Sequence, residues 1–156
     1  MCLGIAFDGT QIGDAGNAKT KLIKMPGKVK VLEDKVFQTD EDMEDTFEHH
    51  VGIGHTRWAT HGVPNEVNSH PQRVGDNDFV VVHNGILTNY YPLKCFLEKQ
   101  GYQFESETDT ECIPILLKYL WDTRGDEDLT FLQLVERCIQ QLEGAFAIVV
   151  KVSRIF

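Results

Sequence analysis

Two apolar runs in this chain, Val51 to His55 and Phe79 to His83, each end on a histidine and pass at once into polar residues. Continuous rather than alternating apolar character is the pattern of strands covered on both faces. The runs therefore predict a layered fold whose strand ends deliver polar groups into a covered space. Between them Arg57 to Asn77 forms a long polar connection containing Pro64 and Pro71, and a connection of that length inside a small domain generally carries function.

The flanking sequence fills in the layers. Leu3 to Asp8 and Lys21 to Met25 read as two strands joined by a loose hairpin through Gly9, Gly13 and Gly16, glycines that do not fit a dinucleotide-binding spacing. Val29, Leu32, Val36 and Phe37 recur at helical spacing after Pro26-Gly27 and predict one short amphipathic helix. Three more helices are expected. The first runs over Tyr90 to Gln100, capped by Asn89 and ended by Gly101. The second runs over about Thr110 to Asp122, capped at Asp109 or Thr110, with Thr108 and Glu111 at capping-box spacing and Pro114 in the first turn. The third runs over Phe131 to Leu142, with Gly144 ending it before a last strand from Ala145 to Val152. The pattern is α+β, helices packed on sheets, with no internal repeat or linker to divide it.

Composition narrows the function. Fifteen Lys and Arg stand against 24 Asp and Glu, a net charge of −9 that repels phosphate backbones, so nucleic acid is not an expected partner. No apolar run approaches the roughly 18 residues of a membrane span, and no secretory signal pattern opens the chain, so a soluble, cytoplasmic protein is expected. The acidic run Asp40 to Asp45 lacks the ligand spacing and turn glycine of a calcium loop and reads as solvated. The four cysteines, at 2, 95, 112 and 138, form no zinc or redox spacing, and Cys95, Cys112 and Cys138 read as small buried hydrophobes. The six histidines form no metal-binding motif, so neither a metal nor any other cofactor is implied.

Three separated stretches carry the chemistry: His55-Thr-Arg-Trp-Ala-Thr-His-Gly62, His83-Asn-Gly-Ile86 and Ser106-Glu-Thr-Asp-Thr-Glu111. Arg57 offers a fork for an α-carboxylate, Asp109 a counter-charge for an α-ammonium, and Asn84 with the Gly85 amide two donors for a developing oxyanion. Each residue also has a plainer reading. Arg57 could be a surface ion pair, Asn84-Gly85 a hairpin turn and Asp109 a helix cap, and the two readings of Asn84-Gly85 can hold together.

In order and wording these motifs resemble the glutamine-hydrolysing domain of the glutamine:fructose-6-phosphate aminotransferase family, class II amidotransferases of the N-terminal-nucleophile superfamily. The resemblance runs from about Leu3 to about Lys151. It implies an αββα sandwich of antiparallel sheets, glutamine as ligand, and hydrolysis of glutamine to glutamate and ammonia for glucosamine 6-phosphate synthesis. It also implies that Arg57 grips the glutamine carboxylate, with Trp58, Thr60 and His61 contributing from the same loop, and that Asp109 pairs with the ammonium group. In the family an N-terminal cysteine exposed by methionine removal attacks the amide, its own α-amino group assisting, and Cys2 stands where that chemistry requires it. Family members read Cys-Gly-Ile there, whereas Cys2-Leu3-Gly4-Ile5-Ala6-Phe7-Asp8 resembles the family's later strand. The expectation is therefore a single partial domain over 1–156, incomplete at its N-terminal strand and helix. The sugar-phosphate isomerase domain that accepts the ammonia is expected to be absent from this chain, and a homo-oligomer belongs to the full-length enzyme. A fragment that binds glutamine or a partner without turnover, and the amidotransferase domain of another class II enzyme, remain as alternatives.

Overall fold

Alternation along the strand β1 (Cys2–Ile12) divides the protein into layers. Successive side chains of a strand point to opposite faces. Leu3 and Phe7 join Ile23 and Leu32 in one apolar cluster, with Ile5, Met25 and Val36 packed against it. That face is covered by the helix α1 (Val29–Val36). The other face, bearing Cys2, Gly4, Ala6 and Asp8, turns toward the rest of the domain. A computed structural model describes residues 1–12, 18–39, 51–57 and 63–152.

The first sheet has the order β2-β1-β3, with β2 (Ala18–Pro26) and β3 (Gly52–Arg57) both antiparallel to β1. The second has the order β4-β5-β6, with β5 (Phe79–Leu87) between β4 (Gln72–Val74) and β6 (Gly144–Val152), again antiparallel. Phe79 and Val81 of β5 pack with Leu97, Ile113, Leu117, Leu134 and Cys138 in the main core. These come from α2 (Tyr90–Lys99), α3 (Cys112–Asp122) and α4 (Phe131–Ile139). The architecture is α+β, two antiparallel sheets with helices on their outer faces, as expected. No helix among the described residues is long and apolar enough to cross a membrane.

Two contacts tie the sheets together. Asp8 of β1 pairs with Lys151 of β6, both side chains mostly buried. Gly4 lies so close to the segment before β4 that a Cβ there would stand 2.1 Å from the His70 carbonyl oxygen.

Several expectations need correction. Val51 to His55 is not covered on both faces, because β3 is an edge strand with Val51, Gly52, Gly54 and Thr56 exposed. Asn89 occupies the N-cap position of α2 but does not cap it; its amide donates to the Gln141 carbonyl and accepts from the Glu143 N–H, tying the helix to the start of β6. Asp109–Glu111 is a single 3-10 turn that precedes α3, so neither Asp109 nor Thr110 caps the helix. The capping box belongs instead to α4, where Thr130 and Gln133 bond reciprocally. That helix ends at Ile139, three residues short of the expected limit. Strand β4 lies inside a stretch read as loop, too short to show a period. Cys112 and Cys138 are buried, whereas Cys95 is only half-buried. The acidic run 40–45 lies outside the described residues.

Gly4→Ala is expected to cost about 3 kcal/mol, the upper range for forcing extra volume into packed structure, because the obstructing atom is backbone. Gly52→Ala, whose new Cβ would meet its nearest neighbours at 3.7 Å, should change stability by less than about 0.5 kcal/mol. Urea denaturation midpoints of the two variants check the pair.

Candidate active site

Arg57 is the last residue of β3, and its partner across the ladder is Cys2. Directly opposed residues place their side chains on one face, so both turn inward, toward the second sheet. Arg57 is 5% exposed. It lines a cavity of about 210 Å³ together with His55, Thr56, His70, His83, Asn84, Gly85, Asp109 and Thr110. Such a volume lies below the usual range of drug-sized sites and suits a ligand the size of one amino acid.

Asp109 enters the same cavity from the 3-10 turn and is 7% exposed. One carboxylate oxygen accepts the Leu87 N–H at 2.9 Å, and the other is reached by the Thr110 hydroxyl at 3.5 Å. Among the described residues no cation pairs with it. A buried carboxylate left in that condition favours a ligand that brings a positive charge.

The turn is held from behind. Glu111 accepts the N–H groups of Glu105 and Ser106 at 2.9 and 2.7 Å. Asn68, buried in the segment before β4, exchanges hydrogen bonds with Glu107, accepting its N–H at 2.9 Å and donating to its carboxylate at 3.0 Å. Glu111 thus serves this clamp and not a capping box, while Thr108 bonds the Ser106 hydroxyl.

Asn84 and Gly85 lie in the middle of β5, paired with Ala147 and Phe146, so the hairpin reading is overturned. Gly85 has φ of 132°, and a Cβ there would stand 2.1 Å from the Ala145 carbonyl oxygen. Only glycine permits that backbone and that approach. The Asn84 carboxamide oxygen meets His55 Nε2 at 2.8 Å, which leaves its amide hydrogens for other partners.

Three imidazoles complete the wall. His70 lies 4.6 Å from His55 and 6.4 Å from His83, measured between ring centroids. His83 Nδ1 is 2.8 Å from the Thr110 hydroxyl. Burial, with help from the neighbouring His55, Arg57 and His83, pushes the His70 pKa down to about 3. Burial likewise lowers the His83 pKa, against an opposing pull from Asp109. Both rings are neutral at neutral pH. Cys112 and Cys138, pushed up to about 12 mainly by burial, are unreactive thiols.

Arg57, Asn84, Gly85 and Asp109 therefore meet in one cavity. Cys2 is close by in the ladder but has no exposed surface and does not line the cavity. Trp58, Thr60 and His61 lie outside the described residues. The sequence reading missed His55, Thr56, His70, His83 and Thr110. His55, Thr56, His83 and Thr110 sit inside the quoted motifs and were within reach, whereas nothing local marks His70 in Asn68-Ser69-His70-Pro71 as a site residue.

Comparison with known proteins shows the family. Residues 55–154 match the sequence profile of a glutamine amidotransferase domain. The chain belongs to that family. It is 58% identical over 150 residues to mouse glutamine–fructose-6-phosphate aminotransferase (isomerizing) 2, covering 95% of this chain and 22% of the mouse protein. The aminotransferase of Saccharomyces cerevisiae is 44% identical, again over 95% of this chain and 20% of the yeast protein. The glutamine phosphoribosylpyrophosphate amidotransferase of B. subtilis superposes on 97% of this chain with a TM-score of 0.68 at 25% identity. This amidotransferase chain thus spans about a fifth of the length of its curated relatives.

The neutral histidines give the family member a pH signature. Unfolding restores His70 to its ordinary value of 6.5 from about 3. The unfolded state then binds the extra proton between those values, and stability falls as pH drops. From this residue alone, unfolding free energy should be flat above about 6.5 and decline by up to about 1.4 kcal/mol per pH unit below it. His70→Phe should flatten the decline, checked by urea titrations at a series of pH values.

Proposed function

We propose that this cavity binds free glutamine, Arg57 taking the α-carboxylate, Asp109 the α-ammonium, and Asn84 with the Gly85 N–H facing the side-chain carboxamide. The observation that carries the reading is the meeting of a buried guanidinium and a buried carboxylate in one amino-acid-sized cavity. Trp58, Thr60 and His61 complete the carboxylate grip, by family resemblance. The class of reaction is amide hydrolysis. A thiolate adds to the carboxamide carbon, two amide donors stabilise the oxyanion, ammonia leaves on protonation, and water releases glutamate from the thioester. Cys2 is the proposed nucleophile once Met1 is removed, with its α-amine, of ordinary pKa about 7.7–8.0, as base. The similarity to the aminotransferases supports reading the ammonia as destined for glucosamine 6-phosphate synthesis in the cytoplasm, with a sugar-phosphate isomerase domain as acceptor.

A second reading, glutamine binding without turnover, is favoured by a specific observation. Cys2 is fully enclosed within β1, and the Met1 carbonyl accepts the Gly27 N–H at 3.0 Å. Intact mass after exposure to an electrophilic glutamine analogue separates the two. Loss of Met1 with a single adduct at Cys2 supports turnover, and glutamine protection against heat with no adduct supports binding alone.

Under turnover, Asn84→Ala should lower kcat by roughly 10² to 10³, read as ammonia release. Asp109→Asn should raise KM for glutamine more than it lowers kcat, since the ammonium is gripped alike in ground and transition states. The reverse split would remove Asp109 from the ammonium site.

A further inference from the structure

The histidine cluster is the part of the cavity that the charge grip leaves unexplained. Of its six ring nitrogens, two have partners, His55 Nε2 with Asn84 and His83 Nδ1 with Thr110. The other four, His55 Nδ1, both nitrogens of His70, and His83 Nε2, are buried without a hydrogen-bond partner among the described residues. His70 and His83 are each only 4% exposed. Buried polar atoms in native proteins are nearly always satisfied, so each exception calls for an explanation, and a bound ligand is one. These four belong to residues lining the proposed glutamine cavity.

Their chemistry selects the partner. A neutral imidazole offers one donor and one acceptor. A primary carboxamide offers the same pair in reverse, N–H hydrogens and a carbonyl oxygen, so the two match. A carboxylate offers acceptors only, and it leaves each imidazole lone pair unmet in a water-poor wall. Resting on the glutamine reading above, we propose that His70, with His83 beside it, is the specificity-determining element that makes this site prefer a carboxamide over the corresponding carboxylate. His70 and His83 supply that selectivity only while they are neutral. Burial enforces this, since His70 faces His55 and Arg57 of β3, His83 of β5 and Lys24 of β2, all of which oppose a proton there. A site of this kind also discourages the hydrolysis product from staying, because glutamate keeps both α-groups but loses the donor hydrogens.

The test compares three ligands that share the α-amino-acid end: glutamine, glutamate, and glutamate γ-methyl ester, which is uncharged at the side chain but has no N–H donor. Dissociation constants come from equilibrium dialysis in the cold, with mass analysis confirming that each ligand is unchanged. For the wild-type chain, glutamine should bind at least about tenfold more tightly than either the ester or glutamate, as expected when an analogue leaves a buried group unpaired. His70→Phe should bring glutamine and the ester to within about twofold of each other, while His70→Gln, which restores a donor and an acceptor, should recover most of the preference. Equal binding of glutamine and ester by the wild type overturns the proposal even if the variants fail to fold, as does an unchanged preference in a folded His70→Phe. Absence of glutamine binding by the wild type would instead sink the glutamine reading itself.

Discussion

The approach of the His70 carbonyl to Gly4 sets the geometry on which the site depends. It fastens the segment before β4 to the inner face of the first sheet. The same segment, through Asn68, grips Glu107 and with it the turn that carries Asp109. That turn in turn takes the Leu87 N–H of β5. A chain of short contacts thus runs from the strand beside Arg57 to the carboxylate of Asp109, and the charges that face one cavity are positioned by backbone groups. Backbone anchors lose little freedom when they hold a side chain, which is why a loop as long as this one can present charged groups in fixed places.

Much of this was legible in the sequence because it depends on local chemistry. The strands and helices follow from periodicity, and the convergence of Arg57, Asn84, Gly85 and Asp109 follows from motifs whose residue types suit the ends of one amino acid. What escaped was set by partners distant in sequence. Asn89 has the residue type of a cap, yet the exposed Gln141–Glu143 backbone competes for its amide and wins. Glu111 has capping-box spacing, but the N–H groups it satisfies lie upstream of the turn. Val51 to His55 reads as doubly covered because its glycines and isoleucine look apolar, although an edge strand needs only one covered face. Asn84-Gly85 carries the strongest hairpin signal, but the positive φ of Gly85 serves a close approach to β6 within a continuous strand.

His70 shows a different limit. No periodicity or motif marks it, and its importance comes from two rings contributed by β3 and β5 that meet it from either side. Three imidazoles grouped in one wall are costly to assemble, since each loses hydration and, among the described residues, only part of their hydrogen-bonding capacity is met. Stability alone would favour apolar residues of similar shape, and strain of this sort collects where a ligand is bound.

The position of the thiol decides which chemistry the assembled pocket can perform. Cys2 lies directly across the ladder from Arg57, the proposed carboxylate grip, while Asn84 and Gly85, the donors proposed for the reacting carbonyl, belong to the other sheet. A glutamine held by its α-groups points its carboxamide away from the residue that holds its carboxylate. On the proposed reading, the thiol lies in the sheet that carries the carboxylate grip and not in the sheet that carries the amide donors. Turnover by Cys2, as proposed, needs access to a thiol that is fully enclosed and does not line the cavity. Removal of Met1 deletes the hydrogen bond to Gly27 that holds this end of the strand. On that reading processing supplies the amine base and loosens this end of the strand, and without it the pocket keeps only the groups proposed to bind glutamine.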